Sequence, residues 1–211
     1  MRVPTEGQNY SIAVSIGSLN TTWSVTAYLS DPCNAPTSPS IGTQCSDGTF
    51  YIGEMNGFRY MTTPGNCTDS ANPTCNNSTD TLYKTFNNGS TSYVTTGANS
   101  LTDGAANTSL LASLSGTDAP YMGAVYCNNL VFGAREDWFL PAKDELLLLR
   151  DNTASIWNSI GIQGVGNWYY LSSTETSNSQ VWILRFGDRY NYGEIKNFPS
   201  YRVRCLRKTA F

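Results

Sequence analysis

Six cysteines (Cys33, Cys45, Cys67, Cys75, Cys127 and Cys205) and a stretch of tyrosine, asparagine and arginine near the C-terminus hold most of this chain's reactive and contact-forming groups. The cysteines form an even set without a CxxC pair. The sequence contains no histidine that would complete a zinc site. This pattern fits disulfides made in an oxidising compartment better than metal ligation. Sequence alone does not choose among the pairings that six cysteines allow. Loop economy favours Cys33 with Cys45 and Cys67 with Cys75, each pair flanking a segment rich in Pro, Asn, Ser and Thr, and leaves Cys127 for Cys205.

The lack of histidine also removes the Ser-His-Asp and Cys-His nucleophile systems. Asp188 and Glu194 are a conceivable carboxylate pair for glycoside hydrolysis, but both sit in Gly- and Tyr-rich text with no apolar pocket to raise a pKa. The chain therefore reads as a binding protein and not an enzyme, with no metal or cofactor expected. The Asn- and Asp-containing segment between Cys67 and Cys75 matches no calcium loop with defined ligand spacing.

The expected recognition face is Tyr170, Asn178, Gln180, Arg185, Arg189, Tyr190, Asn191, Tyr192, Asn197, Phe198 and Tyr201. These residue types supply large contact area and adaptable hydrogen bonds at low entropic cost. Gly187 to Ser200 reads as a loop with too few aliphatics to pack itself. In Val181 to Phe186, alternation puts Trp182, Leu184 and Phe186 inward and Ile183 and Arg185 outward. Trp138, Trp157 and Trp182 read as core anchors because they sit inside apolar runs. Glu175 reads as a structural carboxylate in a Ser172–Glu175 turn, with Arg202 or Arg204 as its partner.

The elements that must position these groups are strands, then helices, then strands, so the class is α+β. Ile12 to Ile16 and Thr22 to Leu29 suggest a hairpin, and Asp31 to Gly42 a linker, giving an N-terminal β-rich extension over 1–42 and a main domain over 43–211. Further strands are expected after Cys45 and at Arg59 to Thr63, with a loop-dominated insert over 65–109. Helices are expected over Tyr121 to Leu130 and from Pro141 to about Asn152, where proline starts the turn and Asp144 and Glu145 suit the positive end of the helix dipole. At 211 residues and 40% apolar content the chain has enough material for a real core. A net charge of −3 without a Lys/Arg cluster argues against nucleic acid as a partner. No apolar run approaches the ~20 residues that span a bilayer.

Several motifs recur in order: Asp137-Trp138-Phe139-Leu140-Pro141 with Glu145-Leu146, Ser172-Ser173-Thr174-Glu175, Val181-Trp182, and Val203-Arg204-Cys205-Leu206-Arg207. Over roughly residues 43 to 208 the chain resembles a bacterial domain found in the collagen-like adhesin of Legionella and in the variable proteins of diversity-generating retroelements. One departure is Leu171, where that family usually has tryptophan. The resemblance implies a C-type-lectin-like fold, two helices flanking twisted antiparallel sheets, loop-rich and used for binding. In diversified members the variable positions fall in the stretch matching residues 169 to 201 and form an exposed face. The implied protein is an adhesin-like domain at a cell surface or outside the cell, bacterial or phage-associated, that binds a protein or glycan on another surface. The alternative is a structural tip or oligomerisation module of a fibre or pilus-like assembly. The formylglycine-generating enzymes share a related fold, but their chemistry needs reactive cysteines, whereas those here read as structural.

Overall fold

The computed structural model describes residues 9–16, 19–26, 31–65, 67–68, 74–76, 78–164 and 168–211, with side chains from residue 31 onward. Strands β1 (Asn9–Ile16) and β2 (Leu19–Thr26) form the expected hairpin, antiparallel with Ile12 opposite Trp23. The expected end of its second strand, residues 27–29, lies outside the described residues. Downstream come β3 (Phe50–Met55), β4 (Phe58–Thr62), β5 (Tyr83–Lys84), α1 (Gly104–Ser113), α2 (Met122–Asn128) and α3 (Lys143–Asn152). Then follow β6 (Tyr169–Glu175), β7 (Gln180–Arg185), β8 (Asn191–Ile195), β9 (Tyr201–Arg202) and β10 (Leu206–Ala210).

The chain is α+β. One sheet runs β10-β4-β3 and is antiparallel, with the β3–β4 turn made by Asn56-Gly57, both at positive φ as tight hairpins demand. The other runs β5-β9-β6-β7-β8, with β6 and β9 parallel where Tyr170 meets Arg202. Two expectations change here. A third helix, α1, begins inside the insert expected over 65–109 and runs to Ser113, and the presumed loop after Gly187 contains β8.

The stretch from Asp31 to Gly42 contacts the smaller sheet. Cys33 bonds Cys45, the pair packs with Tyr51 and Met61, and Arg59 Nη1 donates to the Cys33 carbonyl at 3.2 Å. The Cys33–Cys45 bond spans residue 42, where the boundary was expected. Proline has no N–H to donate, and Arg59 supplies a donor to both the Cys33 and the Ala35 carbonyl.

Two apolar clusters sandwich the five-stranded sheet. Leu171, Val181 and Ile183 point to α1 and α2, packing with Leu111, Ala124 and Cys127. Tyr170, Leu184 and Phe186 point the other way, to Leu146 and Leu149 of α3 and to Ile52 and Tyr60 of the smaller sheet. Because both faces of β7 are covered, Ile183 is buried and not outward-facing as alternation with one wet face would have it. Trp182 is only half-buried, with the Lys143 ammonium 5.0 Å above its ring, so it is not the core anchor expected, while Trp138 is. Trp157 is half-buried against Phe186 at 5.7 Å.

Helix α3 has the expected apolar face and ends at Asn152 as expected, but it starts at Lys143, with Pro141 lying before its N-cap Ala142. Glu145 reaches back to the Ala142 N–H at 2.8 Å, Asp144 and Glu145 occupy the first turn, and Arg150 occupies the last. Leu146 and Leu149 are fully buried. Leu146→Ala is expected to cost ~2–5 kcal/mol by urea denaturation; a loss below ~0.5 kcal/mol would mean the site collapses without a cavity.

The disulfides are Cys33–Cys45, Cys67–Cys75 and Cys127–Cys205. The last ties α2 to the residue preceding β10. No helix among the described residues is long and apolar enough to cross a membrane.

Candidate functional site

The β7–β8 hairpin is built to hold an exposed tip. Arg185 N–H donates to the Tyr190 carbonyl at 2.7 Å and closes the turn. Asp188 turns back on it, accepting from Arg185 Nε at 3.1 Å and from the Tyr190 N–H at 3.2 Å. Arg189 sits at φ 60°, a left-handed conformation that a side chain resists. The buried Arg150 of α3 fixes it by donating to the Arg189 carbonyl at 3.0 Å. The tip is thus anchored from below, and little ordering remains to be done on binding.

The side chains on this tip form a connected array. The Arg185 guanidinium lies 5.3 Å from the Tyr190 ring and 5.8 Å from the Tyr169 ring. Tyr190 packs on Tyr192 at 4.8 Å, and Tyr169 meets Tyr192 edge-on at 6.0 Å and Phe198 at 6.1 Å. Tyr190 is 54% exposed, Arg189 and Asn191 are exposed, and Arg185, Tyr192 and Phe198 are half-buried. Burial, then a hydrogen bond to Tyr169, pushes the Tyr192 phenol up. Its hydroxyl stays neutral. The array is an aromatic and cationic surface on a rigid support, the type that carries binding energy at interfaces.

Other members of the expected face fall elsewhere. Tyr170 and Tyr201 are fully buried and leave it. Tyr170 stacks on Phe186 at 4.3 Å, donates to Asp80 at 2.9 Å and accepts from the Gln163 N–H at 3.0 Å. Tyr201 donates to the Ile195 carbonyl at 2.6 Å. A tyrosine whose hydroxyl is satisfied packs as well as phenylalanine, which composition does not show. Gln180 is exposed at the opposite end of β7, about 16 Å from Arg185 along an extended strand, and Asn178 is exposed in the bend before it. Asn197 accepts from the Tyr93 hydroxyl at 2.9 Å and is half-buried.

The recurring motif residues are scaffold. Glu175, expected to meet Arg202 or Arg204, instead pairs with the fully buried Lys196 and accepts from the Thr96 and Gly97 N–H groups at 3.0 and 3.2 Å. Ser172 to Glu175 is strand, not turn. Thr174 Oγ1 accepts from the Lys143 N–H at 3.0 Å and donates to the Ser100 carbonyl at 2.8 Å, joining α3 to the chain before α1. Arg204 is taken by Asp80 at 3.0 Å. Asp188, once a conceivable catalytic carboxylate, is engaged by Arg185. All six cysteines are bonded. Sequence reasoning missed Tyr169, the centre of the array; its signal was the same alternation that buries Tyr170.

No protein-family model matches the chain, and no curated protein matches it.

Proposed function

We propose that this chain is a ligand-binding, adhesin-like module of C-type-lectin-like architecture, displayed at a cell surface or outside the cell, whose contact surface is the tip of β7 and β8. The observation that carries the reading is the array of Tyr169, Arg185, Tyr190, Tyr192 and Phe198, exposed at its rim and braced from α3. Three disulfides fit an oxidising compartment. The motif residues spend their polar groups inside the scaffold, which leaves the exposed tip positions Arg189, Tyr190 and Asn191 free to vary without unfolding the domain. That division suits a receptor whose partner changes, and it supports membership among retroelement-diversified proteins.

The test is an array of glycans and cell-surface proteins probed with the purified chain and with Tyr190→Ser. Capture of one class by the native chain and its loss in the variant is expected. Equal capture by both would place recognition elsewhere. Self-association of the native chain through the tip, abolished in the variant, would favour the fibre-module alternative.

A further inference from the structure

On the other face of the large sheet a cation lies buried without an anion. Arg202 is only 2% exposed, and its Nε and Nη1 are enclosed without a hydrogen-bond partner. Among the described residues no carboxylate pairs with it. The nearby acid, Asp80, is held by Arg204 and Tyr170, and Arg207 takes Asp137. What holds Arg202 is aromatic: its guanidinium carbon lies 4.3 Å from the Trp168 ring centroid and 4.9 Å from that of Tyr83. Two such contacts offset part of the cost of burying a charge, but they leave the donors unmet.

Both rings are exposed at 37%, and no hydrogen bond among the described residues fixes the Trp168 indole or the Tyr83 hydroxyl. Alternation puts Arg202 on the face opposite Tyr201, so this place is separate from the β7–β8 tip and does not depend on it. We propose that Arg202, Trp168 and Tyr83 form a subsite for a sugar acid. A uronate-type carboxylate accepts from Nη2 together with Nε or Nη1, the pairs of donors that share an edge of the guanidinium, and the pyranose ring covers the exposed aromatic surface. A bare acidic side chain would satisfy the arginine but leave both rings uncovered, which is why a ring-bearing acid fits better.

The experiment follows the Arg202 Nε–H and Trp168 indole N–H signals of the native chain by NMR, assigned with Arg202→Gln and Trp168→Phe, while glucuronate, glucose or acetate is added. Glucuronate is expected to shift both signals saturably, acetate the arginine alone, and glucose neither. Arg202→Lys, which keeps the charge but loses the fork, should bind glucuronate roughly tenfold more weakly. If glucuronate leaves the Arg202 signal unmoved, or if glucose shifts the indole as much as glucuronate does, the proposal falls and Arg202 is a structural cation held by its rings. A Glu-containing peptide that shifts both signals where glucuronate does not would overturn the choice of a sugar.

Discussion

Replacing Glu145 with alanine is expected to cost about 3–5 kcal/mol of stability, because it removes the buried acceptor on which three hydrogen-bond donors and a lysine ammonium converge. Its Oε2 accepts from the Gly104 N–H at 2.9 Å and the Ala142 N–H at 2.8 Å, so the N-termini of α1 and α3 point at one carboxylate. Its Oε1 accepts from the Tyr60 hydroxyl of β4 at 3.1 Å and lies 3.7 Å from the Lys208 ammonium of β10. Burial pushes the Glu145 carboxyl up, against the pull of Ala142, Lys208, Tyr60 and Gly104. The approach is so close that a Cβ on Gly104 would sit 2.3 Å from Oε2 and 2.5 Å from the Ala142 nitrogen, so only glycine lets α1 begin there. Glu145→Gln keeps the volume but turns an amide toward converging donors, and should lose an intermediate amount. Denaturant midpoints of the two variants check this. A loss below ~1 kcal/mol for the alanine variant would show that water enters and satisfies the donors.

Removing the Cys127–Cys205 bond by changing both residues to alanine should cost about 4–5 kcal/mol, since it frees a long loop in the unfolded chain. The pair spans a sequence separation of 78, against 12 for Cys33–Cys45. The shorter bridge should be worth only about 3 kcal/mol in the same chain-entropy account. Both Cys127 and Cys205 are buried in the cluster with Ala124, Leu130 and Val203, so the longer bridge also anchors α2 to the sheet. Thermal melts of the two double variants should rank in that order. The reverse order would mean that residual structure in the unfolded chain outweighs loop length.

What was legible in advance has a physical pattern. Helix α3 could be read because Pro141, Asp144, Glu145, Leu146 and Leu149 carry its start and its apolar face in adjacent positions. The disulfides could be read because short loops close easily and leave one pair over. Helix α1 could not, since its Asn, Thr and Ser residues mask any apolar stripe. Its one local signal is Asp103, which caps it by accepting from the Ala106 N–H at 3.1 Å. The partner of Glu175 was hidden for another reason. Lys196 lies in text that reads as a surface loop, and only β8 brings it under the sheet. Tyr170 and Tyr201 were misjudged because alternation assigns faces but does not say that both faces are covered.

Recognition by the β7–β8 tip requires the tip to be contact surface and not core. Its most direct test is the variant Arg189→Ser/Tyr190→Ser/Asn191→Ser, made only at exposed positions because Tyr192 and Phe198 also pack against the core. Ligand affinity and melting temperature are measured side by side on the native chain and this variant. The expected result is loss of binding by at least roughly a hundredfold with little change in melting temperature, as removal of a hot spot gives. Unchanged affinity, or a collapse in melting temperature, would contradict the assignment of recognition to the β7–β8 tip.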